Sequence, residues 1–216
     1  MSYLIDLILH LDTHLNSIIS HHSIYAYVLL FLLIFCETGF VITPFLPGDS
    51  LIFATAALAA GGGRINIPLV IMLFIIAAIS GDTVNYQVGH FFRDRVESRQ
   101  RIPFIKLEYI DRTHAFFMRH GGKTIVIARF VPIIRTFAPF VAGVGTMSYR
   151  WFLGYNIIGG ISWVTLFFTI GYFFGNLPVI KTHFSLILVV IILISVLPAI
   201  FAFVGSKSTK IKKNKI

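Results

Sequence analysis

Charge is scarce in this chain. Asp and Glu together number 9 and Lys and Arg 18 among 216 residues, while 56% of the residues are hydrophobic and 22 are Phe. A soluble domain carries about 25% charged residues, against 12% here, so a polar outer surface is excluded and a polytopic membrane protein is predicted. Cysteine occurs once, as Cys36, which excludes an intramolecular disulfide and reads as a small packing residue. Residues 1–23 hold no Lys or Arg, and Asp6 and Asp12 stand where a secretory leader is basic, so no cleavable signal peptide is expected. HExxH and GxSxG are both missing. Seven of the eight histidines gather near the start (His10, His14, His21, His22) or in the polar middle (His90, His114, His120), away from any catalytic serine or aspartate motif. The formal net charge of +9 lies beside hydrophobic runs rather than on a basic folded face, so nucleic acid is not an expected partner.

The chain that remains divides into apolar runs and basic connections. Residues 3–20 place Leu4, Leu7, Ile8, Leu11, Leu15, Ile18 and Ile19 on one helical face and Asp6, His10, His14, Ser17 and His21 on the other. This predicts an amphipathic interfacial helix over 1–22. His10 and His14 are four apart, but without a third ligand the pair reads as a solvated face, and no metal site is expected. Full spans are predicted at 66–92, 151–175 and 184–205, within a transmembrane domain covering 23–205. Gly61-Gly62-Gly63 reads as a linker, since no Lys-Ser/Thr follows it. Tyr86, Trp151 and Trp163 read as packing residues or interface anchors. The tail, 206–216, carries five lysines and is expected to be cytoplasmic and to meet anionic lipid.

Two apolar segments carry charge where a span should have none, and the signs are opposite. Residues 24–60 contain Glu37-TGFVITPFLPG-Asp49, broken by Pro44 and Pro47 with Gly48 beside them. Residues 124–147 contain Arg129-FVPII-Arg135-TFAPFVAGVG, broken by Pro132 and Pro139. A charge at the bilayer centre costs about 2.5–3.5 kcal/mol on insertion scales, so such residues face a partner or a cavity. Proline breaks the helical run, and freed backbone groups survive in lipid only where protein or a wet cavity satisfies them. The first segment is too long for one span of about 20 residues and too short for two. Both are therefore predicted to be re-entrant helical hairpins meeting at one polar site. Asp82, Asn85 and Gln87 add polarity to the 66–92 span, and Asp82 and Asn85 are candidate lining residues of that site.

Topology follows from charge. The 93–123 connection and the tail are both basic and belong on the cytoplasmic side, which requires an even number of crossings between them and so favours re-entry of 124–147. An internal repeat points the same way. Ser80, Thr83, Gly89, Phe91 and Phe92 match Ser162, Thr165, Gly171, Phe173 and Phe174 at constant offset, and Phe53-Ala54 pairs with Phe137-Ala138 at nearly the same one. The expected fold is all-α, with inverted repeats. Each repeat has an amphipathic helix, a proline-broken re-entrant hairpin and a full transmembrane helix, and one extra C-terminal transmembrane helix closes the chain.

The runs ETGFVITPFLPGDSLIFATAALAA from Glu37, GDTVNYQVG from Gly81 and RFVPIIRTFAPFVAGVGTM from Arg129 resemble the DedA family, whose shared region is the VTT or SNARE-associated Golgi domain. With their spacing they cover most of 30–175, and the Phe-x-Pro-x-x-Arg core before a small-residue run is specific. The resemblance implies a bacterial inner-membrane protein tied to envelope integrity. It further implies movement of polyprenyl phosphate or phospholipid between leaflets, with proton or sodium dependence in some members. It assigns the functional roles to Glu37, Asp49, Arg129 and Arg135.

Chemistry makes that assignment intelligible. A lipid phosphate leaving water needs donors, and arginine offers a fork of five that stays charged when buried. Arg129 and Arg135 would point apart on one unbroken helix, and Pro132 between them supplies a kink. Exposed N–H groups at a broken helix end would add to the anion site. Glu37 and Asp49 are the candidate proton-coupling groups, competing with phosphate for the arginines. Three other readings stand beside transport: static salt bridges between the hairpins, a noncatalytic assembly factor for other membrane proteins, and a lipid phosphatase. No cofactor is expected, and the sequence does not set an oligomeric state.

Overall fold

The structure is a computed structural model that describes residues 23–40, 48–62, 65–98, 107–145, 147–175 and 177. The predicted interfacial helix 1–22, the span 184–205, the basic tail, Pro44 and Pro47 lie outside the described residues. Every regular element among the described residues is helical. In chain order they are α1 (Ser23–Gly39), α2 (Gly48–Ala60), α3 (Ile67–Phe91), α4 (Arg93–Glu97), α5 (Leu107–His120), a 3₁₀ turn (Gly121–Lys123), α6 (Thr124–Ala128), α7 (Pro132–Val144) and α8 (Tyr149–Gly175).

Among the described residues, two helices are long and apolar enough to cross a bilayer, α3 with 25 residues and α8 with 27. At 1.5 Å per residue each exceeds the roughly 30 Å hydrocarbon core. Helix α3 starts cleanly because Asn66 caps it, its side chain accepting from the Leu69 amide at 3.1 Å, with Pro68 in the first turn. The Asn66 amide in turn donates to the Tyr27 hydroxyl at 3.0 Å, tying the start of α3 to α1.

Large apolar side chains cover the outside, and several charged and amide groups are sunk in the interior. Met72, Ile76, Ile158, Trp151 and Phe173 face outward, whereas Glu37, Asp82, Asn85, Arg129 and Asn156 are buried. Apolar outside and polar inside is what a bilayer solvent selects. Helix α1 packs on α3, α2 on α8, α7 on α3, and α6 on α8. Leu30 and Ile34 of α1, Ile52 and Ala56 of α2, Phe74 and Ala78 of α3, and Val164 and Phe168 of α8 form the principal core. The α3–α7 crossing is backbone against backbone. A Cβ on Gly89 would lie 2.1 Å from the Phe140 carbonyl oxygen, and one on Gly143 would lie 2.0 Å from that of Tyr86. Small residues at such a seam replace the hydrophobic drive that lipid removes.

Helix α5 is amphipathic, and its apolar face packs inward. Ile110 and Phe117 pack with Phe137, Phe140 and Val141 of α7. The far end of α7 is closed by Arg93, whose Nε donates to Val144 O at 2.8 Å and whose Nη2 donates to Gly143 O at 3.2 Å and also to Gly145 O. A guanidinium at a helix C-terminus satisfies carbonyls that have no helical donor.

One expectation about the breaks needs correcting. Pro139 does not break the second charged segment, because α7 runs through it and buries it. The interruption lies upstream, at Arg129–Val131, and Pro132 opens the new helix in its first turn, where its missing N–H costs nothing. Gly48 similarly begins α2.

Candidate functional site, a buried cluster of five charges

The cluster is built from four places in the chain. Helix α1 contributes Glu37 in its last turn, α2 contributes Asp49 in its first, and α3 contributes Asp82 near its middle. Arg129 stands in the α6–α7 break and Arg135 in the first turn of α7. An acid in the first turn of α2 also suits the positive end of that helix.

Arg135 holds both carboxylates of the first broken segment. Its Nη1 donates to Asp49 Oδ1 at 2.8 Å and its Nη2 donates to Glu37 Oε1. Arg129 takes different partners. Its Nη2 donates to Asp82 Oδ2 and, at 2.6 Å, to Asn156 Oδ1 on α8. The two guanidiniums meet over one aromatic ring, that of Trp163, with centroid distances of 5.0 Å for Arg135 and 5.8 Å for Arg129. The Trp163 indole N–H donates to Asp49 Oδ1 at 2.8 Å. Glu37, Asp82 and Arg129 side chains are 7% exposed, and Asp49 is 28% exposed, so the cluster is most open on the Asp49 side.

Backbone geometry fixes this arrangement from behind. A Cβ on Gly48 would lie 1.6 Å from Glu37 Oε2, so the carboxylate occupies the space that any other residue would fill. Asn85, fully buried, donates from Nδ2 to Thr38 O at 3.2 Å and to Thr136 O at 2.9 Å. Thr38 follows Glu37 and Thr136 follows Arg135, so one amide braces both sides of that ion pair. Asn156 does the same for the second pair, its Nδ2 donating to Ile79 O at 3.0 Å while its oxygen accepts from Arg129.

A cavity of about 20 Å³ lies among Glu37, Asp82, Arg129, Arg135, Thr136 and Trp163. That is room for roughly one water. Asp82 lines it, while Asn85 stands one layer behind, touching the lining residues Thr38 and Thr136. Among the described residues, the buried Arg129 Nε and Asn85 Oδ1 have no hydrogen-bond partner. Among the described residues, no three His, Cys, Asp or Glu side chains converge to hold a metal ion.

The four charged residues singled out in the sequence therefore fall in one place, but Asp82 rather than Glu37 or Asp49 pairs with Arg129. Asn156 and the siting of Trp163 escaped the sequence reading. A lone amide in an otherwise apolar span and a tryptophan far from either end of a span were the available signals.

Buried opposite charges inside a lipid-facing helical shell define an integral membrane protein with a polar site between its spans. Comparison with known proteins agrees: residues 46–173 match the VTT domain. The chain is 48% identical to Protein DedA of Escherichia coli K12 over 206 residues, covering 95% of this chain and 94% of that protein. It is 39% identical to the uncharacterized membrane protein ML0287 of Mycobacterium leprae, over 79% of this chain and 76% of the relative. It is also 31% identical to the inner membrane protein YqjA of E. coli K12, over 83% and 81%. No solved structure matches. The chain belongs to the DedA family of membrane proteins.

Proposed function

We propose that the protein moves a lipid phosphate between the leaflets of the bacterial inner membrane without covalent chemistry. The cargo is a polyprenyl phosphate such as undecaprenyl phosphate, or a phospholipid. Arg129 and Arg135 take the phosphate, and Glu37 and Asp49 compete with it for Arg135. The observation that carries this reading is the convergence of two arginines on one small buried cavity, each already engaged by carboxylate. Carboxylate and phosphate ask for the same donor fork, so a site that satisfies arginine with carboxylates is primed for exchange. Because carboxylates already engage both arginines, the arginines trade partners as the phosphate enters. Protonation of Glu37 or Asp49 lowers the competition and gives the coupling. Purely static bridges are less favoured, because buried ion pairs add little stability over apolar packing.

The finer architecture belongs to the same proposal: α1–α2 and α6–α7 are arms of re-entrant hairpins in inverted repeats, with the tail cytoplasmic. Packing supports it. In each half the first arm lies on its own span, α1 on α3 and α6 on α8, and the second arm crosses to the other, α2 on α8 and α7 on α3. The matched glycines follow suit. Gly89 abuts the Phe140 backbone of the second hairpin and Gly171 the Phe53 backbone of the first.

The test is leaflet exchange of labelled undecaprenyl phosphate in vesicles holding only this protein, at two pH values, beside Arg129→Ala/Arg135→Ala. Arginine-dependent exchange is expected, rising with protonation of the carboxylates. Exchange that survives loss of both arginines overturns the proposal, and no exchange from folded protein moves the function to a partner-dependent assembly role.

A further inference from the structure

Tryptophan in a membrane helix ordinarily sits at the interface, its ring among the headgroups. Trp163 lies instead in the middle of α8 and is 1% exposed. A buried indole N–H requires an acceptor, and it has one in Asp49 Oδ1, which also accepts from Arg135. The ring meanwhile carries both guanidiniums, at 5.0 and 5.8 Å. One side chain therefore touches a carboxylate and both arginines, from three separate stretches of chain.

An indole face and a carboxylate hold arginine in different ways. A carboxylate consumes the in-plane N–H donors, which an anion also needs. An aromatic face attracts the cation and does not accept those in-plane hydrogen bonds, and the attraction strengthens where water is excluded. When the carboxylates give way, an arginine held only by carboxylates loses its anchor at the moment it must be in place. One resting on a ring keeps its position with its donors free.

We propose that Trp163 is a positioning residue that keeps Arg129 and Arg135 together as a single two-guanidinium anion site once their carboxylate partners are displaced. This rests on the reading of the two arginines as the phosphate-binding pair. It deepens that reading by naming the part that makes the pair act as one. The ligand it fits is an anion with several oxygens available at once, such as a phosphomonoester.

Only two tryptophans occur, and Trp151 is on the outside, 69% exposed, so Trp151→Phe makes Trp163 a lone optical reporter at the site. The full-length protein in lipid nanodiscs is titrated with geranyl phosphate by calorimetry and by tryptophan emission. In the Trp151→Phe protein, emission is expected to change saturably with the calorimetric midpoint. Trp163→Phe, which keeps a ring and loses the N–H, is expected to weaken binding about three-fold, and Trp163→Leu, which loses the ring, about thirty-fold. Binding in Trp163→Leu within about two-fold of the parent overturns the inference and leaves the arginine reading standing. Unmoved emission from Trp163 while calorimetry records binding does the same, and needs no variant at the site itself. Binding absent from the parent, or undiminished in Arg129→Gln/Arg135→Gln, removes the arginine reading and the role of Trp163 with it.

Discussion

Arg129 closes on Asp82, which α3 carries, and not on either of the carboxylates that Arg135 holds. The two arginines therefore answer to separate acids, and the cluster contains three carboxylates against two guanidiniums.

Removing Asp82 leaves Arg129 buried with only Asn156 as a polar side-chain partner. Asp82→Ala should cost about 3–5 kcal/mol, the usual penalty for orphaning one member of a buried pair. Adding Arg129→Met should return most of it. Thermal unfolding in a single detergent, compared across the parent, single and double variants, measures both. A double variant no more stable than Asp82→Ala would show that the pair is not the unit of stability.

Gly48→Ala should disturb the charge cluster directly. Its methyl group would occupy the position of Glu37 Oε2, 1.6 Å away, and drive that carboxylate off Arg135. Vesicle exchange should fall at least ten-fold while helicity by circular dichroism stays put; about 1.4 kcal/mol of lost site geometry suffices for that. Gly154→Ala is the control, since nothing lies within 4 Å of its added methyl.

Asn85→Leu removes a donor from two buried carbonyls, Thr38 O and Thr136 O. A cost of about 1–3 kcal/mol is expected. Asn85→Asp should be worse, because it sets a buried negative charge against the Thr38 and Thr136 carbonyl oxygens. Chemical-denaturant midpoints of the two variants rank them.

Arg93→Gln should loosen the end of α7 without touching the charge cluster. Amide hydrogen exchange over residues 141–145 should accelerate about ten-fold on loss of the carbonyl contacts, with little change at 134–137. Uniform acceleration along α7 would mean the cap supports the whole helix.

Much of this was legible in the sequence, for reasons that can be traced. Glu37, Asp49, Arg129 and Arg135 stood out because charge in an apolar run has few explanations, and their meeting followed from opposite sign. The spans α3 and α8 were legible from length alone. Pro139 misled because proline's cost is an average: within α7 the helix runs on through a buried site. Asn156 was invisible because a neutral amide barely perturbs hydropathy, and its importance lies in an oxygen 2.6 Å from a guanidinium of another helix. The pairing of Arg129 with Asp82 depends on which face of α3 meets the α6–α7 break, and no local pattern encodes that.

The packing also sorts the helices into two leaves. One comprises α1 and α7 packed on α3, and the other α2 and α6 packed on α8. Each arginine is a clasp with one hook in either leaf. Arg135 grips Glu37 on its own side and Asp49 on the far side, and Arg129 at the end of α6 grips Asn156 on its own side and Asp82 on the far side. Parting the leaves would unfasten one hook of each clasp and leave the other closed, so both guanidiniums would turn half their donors toward the gap.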